Sequence, residues 1–184
     1  TKTGQPVQRF VSVDTGFAYL LGRFLGDGCT FRNNNHPSFE VDAFNVAFNT
    51  TTEGEHVRKM IELFEQSFGL TPNVIVSQNN TTYIRKASLI VGECLRRLVG
   101  SGFDTKRIPS VIWASSRDVQ SEFLRGVYDA DGFVTAFGEL QIEMTNPQLI
   151  TDIQSMITTV GVPSSRSQNR LYAGATHSSN FRSS

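Results

Sequence analysis

Two nine-residue segments of this chain repeat one another: Leu20-Leu-Gly-Arg-Phe-Leu-Gly-Asp-Gly28 and Leu124-Arg-Gly-Val-Tyr-Asp-Ala-Asp-Gly132. Leu, Gly, Asp and Gly coincide at the first, third, eighth and ninth places, so that Asp27 matches Asp131. Self-similarity on this scale means that the chain folds as two related halves. The residues after each segment are also alike. After Gly28 come a polar stretch containing Asn33-Asn-Asn-His36 and then an alternation, with Phe44, Val46 and Phe48 between Asn45, Ala47 and Asn49, which is a half-buried strand. Thr50-Thr-Thr-Glu53 then caps a helix over about residues 53–68, ended by Gly69. After Gly132, Leu140, Ile142 and Met144 alternate with Gln141, Glu143 and Thr145, and Asn146-Pro147 opens a helix that runs to Val160 and ends at Gly161. Extended chain comes next in both halves, over 73–78 and 82–87 in the first and over 164–168 and 170–175 in the second. The first half adds a helix over 89–99, capped by Ser88; the second ends in a polar stretch without a counterpart.

The expected fold class is α+β: one domain over 1–184, made of a pseudo-two-fold pair of αββαββ(α) repeats with two antiparallel sheets. Repeat one covers about 15–115 and repeat two about 116–184. Gly22 and Gly26 lie four apart on one helix face, as do Gly126 and Ala130 in the second copy. Small residues at this spacing let helix backbones approach closely, and glycine inside a helix otherwise costs about 1 kcal/mol. One reading is a tight helix–sheet contact in each repeat. The recurrence of the face in both copies favours the other, in which these two helices pack on each other as the repeat interface.

Asp27 and Asp131 then sit at the C-terminal ends of the paired helices, where the helix dipole disfavours an anion. Either they are structural caps, or a cation compensates them. Carboxylates and backbone carbonyls are hard ligands of the kind Mg²⁺ takes, here Asp27, Asp131 and the carbonyls of Gly26 and Ala130. Paired carboxylates with divalent ions between two phosphates suit phosphodiester hydrolysis. An EF-hand, a dinucleotide fingerprint and a P-loop are excluded by spacing. Cys29 and Cys94 are too few for a disulfide framework and are expected as free thiols of an intracellular protein. No apolar run is long enough to cross a membrane. The chain lacks an initiator Met, as expected of a segment cut from a longer precursor. Its 17 basic and 17 acidic groups cancel, which weighs against a nucleic-acid partner, yet 13 of the basic residues are Arg, the side chain suited to bidentate phosphate and guanine contacts.

The two nonapeptides resemble the paired motifs of the LAGLIDADG homing endonucleases, and Lys106-Arg-Ile-Pro109, followed by Trp113, resembles the Lys-x-Ile-Pro block of that family's intein-type members. The similarity runs from about Phe17 to Tyr172. It implies a monomer with no obligate protein partner, in which two saddle-shaped sheets sit in the major groove of double-stranded DNA. Asp27 and Asp131 would share two or three Mg²⁺ ions and cut both strands, and Lys106 would assist near the scissile phosphate. The sixth motif position departs from the pattern, with Leu25 in one copy and Asp129 in the other; Asp129 is expected outside the metal site.

On a half-buried strand the face away from the core is free to meet bases and phosphates. If Cys29 and Phe31 face the core, Thr30 and Arg32 face outward. The other expected DNA contacts are Asn45, Asn49, Gln141 and Glu143, one of Arg85 and Lys86, and Arg166, Gln168, Arg170 and Tyr172. The fourteen phenylalanines are expected in the core. The resulting reading is a site-specific, Mg²⁺-dependent double-strand DNA endonuclease. Its rivals on the same fold are an RNA-binding intron maturase and a DNA-binding domain that does not cleave.

Overall fold

The computed structural model describes residues 6–31, 43–136 and 138–174. Repeat one runs α1 (Thr15–Asp27), β1 (Gly28–Phe31), β2 (Ala43–Asn49), α2 (Gly54–Phe68), β3 (Asn73–Val76), β4 (Thr81–Ala87) and α3 (Leu89–Leu98). A short α4 (Ser110–Trp113) comes after Pro109, and repeat two runs α5 (Arg117–Asp131), β5 (Gly132–Val134), β6 (Leu140–Glu143), α6 (Pro147–Thr159), β7 (Ser164–Ser167) and β8 (Arg170–Ala173). The two antiparallel sheets have the same order, β1-β2-β4-β3 and β5-β6-β8-β7, so the repeat seen in sequence is a repeat in topology. Residues 175–184, where a counterpart of α3 would fall, lie outside the described residues.

Local chemistry places these ends. Asp14 accepts from Phe17 N at 2.8 Å and starts α1. Ser88 accepts from Val91 N to start α3, and Asn146 accepts from Gln148 N and Leu149 N, both at 3.1 Å, with Pro147 in the first turn of α6. Gly69 closes α2 in the left-handed region, at φ 67°. Glu53 departs from expectation: it precedes α2 but its side chain caps nothing there. Instead Asn49 Oδ1 accepts from Thr51 N and Thr52 N and holds the turn.

The motif helices pack on each other, and the contact is symmetric. A methyl at Gly22 would overlap the Phe123 carbonyl oxygen and sit 2.9 Å from Val127 N; one at Gly126 would overlap the Tyr19 carbonyl oxygen and sit 2.9 Å from Arg23 N. The small faces therefore serve a helix–helix interface rather than two separate sheet contacts. Either side of it the cores differ. In repeat one, Phe24, Phe44, Phe64, Phe68 and Phe17 form a chain of ring contacts, with centroids 4.6 to 6.1 Å apart, joining α1, β2 and α2. In repeat two the core is mostly aliphatic, with Ile142, Leu149, Ile150, Ile153, Ile157 and Leu171 buried. Among the described residues the expectation that every phenylalanine is core fails at several positions, and Phe31 is only half-buried. Phe10, Phe103 and Phe133 are exposed, Phe133 because it pairs with Gln141, on the face opposite the buried Ile142.

Candidate functional site

Because α1 and α5 touch along their small faces, their C-terminal ends arrive together. A Cβ built on Gly26 would overlap the Ala130 methyl and lie 3.0 Å from Asp131 Oδ2, which brings the second carboxylate against the first helix. Gly28 and Gly132 then turn the chain into β1 and β5 in ordinary extended conformation. They are glycines for lack of room: a Cβ on Gly28 would sit 2.6 Å from Phe24 Cα, and one on Gly132 2.6 Å from the Tyr128 carbonyl oxygen.

Burial pushes the Asp27 carboxyl up to about 6, with Asp131 and Glu53 adding repulsion against the opposing pull of Arg23 and Lys106. Burial also raises Asp131, against Lys106 and Arg23. Lys106 is lowered by burial, while both aspartates pull it back up. Its ammonium donates to the Gly26 carbonyl at 2.7 Å. Lys106 is held there from repeat two, since Asn146 Nδ2 donates to the carbonyls of Phe103 and Lys106 at 3.0 and 3.3 Å. It is thus half-buried at the junction, not a surface charge ahead of a helix.

Two carboxylates at two negative helix ends, Asp27 half-buried and Asp131 more exposed, form a site that attracts cations. Among the described residues no group of three or more His, Cys, Asp or Glu side chains converges on one point. The donor set is two carboxylates and the carbonyls that precede them, of which that of Gly26 already accepts from the Lys106 ammonium. That suits Mg²⁺, which is commonly held by one or two carboxylates and completes its shell with waters and substrate phosphate oxygens.

Sequence reasoning missed the group behind this pair. Arg23, the fourth residue of the first motif, is wholly buried between the helices. Its Nη2 lies 2.9 Å from Glu53 Oε1 and 3.4 Å from Asp27 Oδ2, its Nη1 donates to the Asp129 carbonyl, and its guanidinium lies 4.7 Å from the centre of the Phe48 ring. Nε has no partner. Glu53 completes the link by accepting from Asn49 N at 2.6 Å, so it serves Arg23 rather than α2. A charge inside an apolar helix stretch is seldom buried unless paired, and Arg23 amid Leu20, Leu21, Phe24 and Leu25 carried that signal. The Asp129 carboxylate accepts from Tyr19 Oη at 2.8 Å, with His56 Nδ1 at 3.7 Å and Arg125 Nε at 3.9 Å, and so belongs to a second inter-repeat cluster.

The strand registers sort the expected DNA contacts by face. Thr30 pairs with Phe44, which pairs in turn with Lys86, and Phe44 is core, so Thr30 and Lys86 point to the helix side. Thr30 Oγ1 meets Ser101 Oγ at 2.7 Å, and Lys86 Nζ donates to the Thr71 carbonyl at 2.8 Å. The expected facing of β1 is therefore reversed: Cys29 and Phe31 lie on the open face with Asn45 and Arg85. Asn49 shares that face, at the exposed end of β2. In repeat two, Gln141, Glu143, Arg170 and Tyr172 lie on the open face, opposite Ile142 and Leu171. Arg166 pairs with Leu171 and turns to the helix side, its Nη1 on Thr151 Oγ1 of α6 at 2.6 Å. Gln168 lies in the β7–β8 turn at φ 52°. Arg32 and the Asn33–His36 stretch lie outside the described residues.

Residues 118–180 match the LAGLIDADG-like domain family. Among curated proteins the chain resembles the DNA polymerases of Thermococcus hydrothermalis, at 27% identity over 166 residues, and of Thermococcus litoralis, at 25% over 167. It also resembles the replicative DNA helicase DnaB of Mycobacterium intracellulare, at 34% over 85 residues, 46% of this chain and 15% of the helicase. The polymerase matches take in 88% and 89% of this chain but 9% of each polymerase. The fold is that of I-DmoI, solved in complex with DNA and Mn: TM-score 0.68 at 17% identity, covering 89% of this chain and 91% of that one. The N-terminal LAGLIDADG domain of DUF199/WhiA matches at a TM-score of 0.51 and 14% identity, over 90% of this chain and 77% of that one. The family match falls on repeat two, with the second nonapeptide inside it, and the likeness of the whole chain to I-DmoI is one of fold.

Proposed function

We propose that this chain is a site-specific, divalent-metal-dependent DNA endonuclease that hydrolyses one phosphodiester in each strand. The observation that carries the reading is the placement of Asp27 and Asp131: two carboxylates brought together at the negative ends of two touching helices, Asp27 half-buried, where a binding protein gains nothing from either. I-DmoI, which shares the fold, is solved with DNA and Mn, with DNA and Ca, and as a variant with DNA and Mg. The matched proteins are polymerases and helicases, and the match takes in a small part of each, as expected of an inserted element rather than of the hosts' own activities. Both carboxylates come from one copy, which supports action as a monomer.

In this reading Asp27 and Asp131, with the carbonyls of Gly26 and Ala130, hold two or three Mg²⁺ ions. Bound there, the metal supplies an activated water and charge stabilisation on the leaving oxygen. Arg23 and Glu53 hold Asp27 in place from behind. Lys106 presents a positive charge beside both carboxylates and is placed to stabilise charge on a phosphate. The open faces of the sheets meet the DNA through Arg85, Glu143, Arg170 and Tyr172, while Asn45 and Gln141, on the same faces, are themselves buried. The test is selection of cleaved sites from a randomised duplex library with Mg²⁺. One long recurring sequence is expected, cut in both strands; no cleavage of any library member would overturn the reading.

A further inference from the structure

Arg85 is held unlike any other basic side chain described on the two sheets. It lies on β4, an interior strand between β2 and β3, opposite Asn45 on one side and Asn73 on the other. Its Nε donates to Asn45 Oδ1 at 3.2 Å. Its guanidinium carbon is 4.8 Å from the centre of the Phe31 ring and 6.0 Å from that of Tyr83. The Asn45 amide is oriented in turn by donating to Cys29 Sγ at 3.7 Å. Among the described residues, neither terminal nitrogen of Arg85 has a hydrogen bond or an acidic partner. Arg170 on the other sheet, by contrast, is paired with Glu143 at 2.9 Å.

A guanidinium braced through Nε keeps both terminal N–H groups as a planar fork, and little side-chain freedom is left to lose on binding. In the major groove guanine offers that fork two acceptors, O6 and N7. Phosphates lie along the rims of the groove and base edges along its floor. A half-buried residue on an interior strand faces the floor. We propose that Arg85 is a specificity-determining residue that reads one guanine in the half-site under the first sheet. The inference rests on the DNA-binding reading above.

The registers add a second consequence. Val46 and Ile142 are equivalent, since they pair with Gly28 and Gly132, so Asn45 corresponds to Gln141, Cys29 to Phe133 and Arg85 to Tyr172. The second sheet has no arginine at the matching place. The target therefore departs from two-fold symmetry at this base step, with guanine required in one half-site only.

The test is selection of bound sites from a randomised duplex library in EDTA, so that no cleavage is needed, with the wild type, Arg85→Gln and Arg85→Lys. Thermal melts of all three report that they fold. The wild type should enrich a sequence with guanine at one step of one half-site. In Arg85→Gln that preference should fall roughly 5- to 150-fold while the other positions keep theirs. Arg85→Lys should keep affinity and its salt dependence but lose most of the preference. Uniform weakening with unchanged preferences, and a salt slope shallower by about one, would show a phosphate contact and overturn the proposal. Unaltered selection by both variants would overturn it too. A wild type that enriches no sequence would overturn DNA recognition itself, a result distinct from a wild type that selects and variants that do not differ from it.

Discussion

Replacing Asp27 with Asn should make this protein more stable while removing its activity, and the gain should depend on pH in a set direction. The carboxyl is raised from 3.8 to about 6, chiefly by burial, with Asp131 and Glu53 adding to the effect. Below pH 4 the carboxyl is protonated in both the folded and the unfolded chain. Between pH 4 and 6 the unfolded chain gives up the proton and the folded one holds it, so the wild type loses stability as pH rises through 6 and then levels off. The full difference corresponds to at most about 3 kcal/mol. With the side chain 30% exposed, about 2 kcal/mol is the better expectation. For a chain of this length that is roughly 4–8 °C in melting temperature. Arg23 loses one partner in the variant but keeps Glu53 at 2.9 Å and the Asp129 carbonyl. Thermal melts at pH 7.5 and pH 4 in EDTA read this directly: Asp27→Asn should melt higher at pH 7.5 and level with wild type at pH 4. Adding Mg²⁺ should raise the wild-type melting temperature more than the variant's, because ligand binding to the folded state stabilises it. An Asn variant no more stable than wild type at pH 7.5 would refute the claim that the fold holds this charge at a cost.

Gly22→Leu or Gly126→Leu should be destabilised by about 1–3 kcal/mol or more, melt at a lower temperature and lose activity together, since either side chain meets backbone of the facing helix; wild-type melting would show a roomier interface. Lys106→Met should keep DNA affinity within about twofold and slow cleavage by about 100-fold, measured in single turnover on the selected site. Lys86→Ala and Arg166→Ala should leave the salt dependence of DNA affinity unchanged, because both side chains point to the helix side of their sheets; a slope shallower by about one in either would place it on phosphate.

Much of this architecture was legible because it is written twice. The matched nonapeptides gave the two repeats, and the Gly22/Gly26 and Gly126/Ala130 faces gave the helix pairing that brings Asp27 and Asp131 together. Helix ends were readable where a cap has one strong partner, as at Ser88 and Asn146. The facing of β1 was not readable. The strand has four residues and begins at a glycine packed against Phe24, and its register depends on pairing with β2 across a long connection. Periodicity in so short a run is compatible with either face, and the Phe44–Thr30–Lys86 row settles it only in three dimensions. Glu53 was misread for a related reason. A Glu just before a helix looks like a capping group, and what turns it away is Arg23, thirty positions earlier. The Arg23 cluster is a tertiary feature whose only trace in sequence is a charge within an apolar run.

That the two motif aspartates form one catalytic pair is tested most directly by cleavage of a supercoiled plasmid carrying the selected site. Wild type, Asp27→Asn and Asp131→Asn are compared with Mg²⁺, alongside binding of the same site in EDTA. Linear product is expected from the wild type and none from either variant, with binding by all three within a few-fold. Linear product at the wild-type rate from both variants would contradict the pairing.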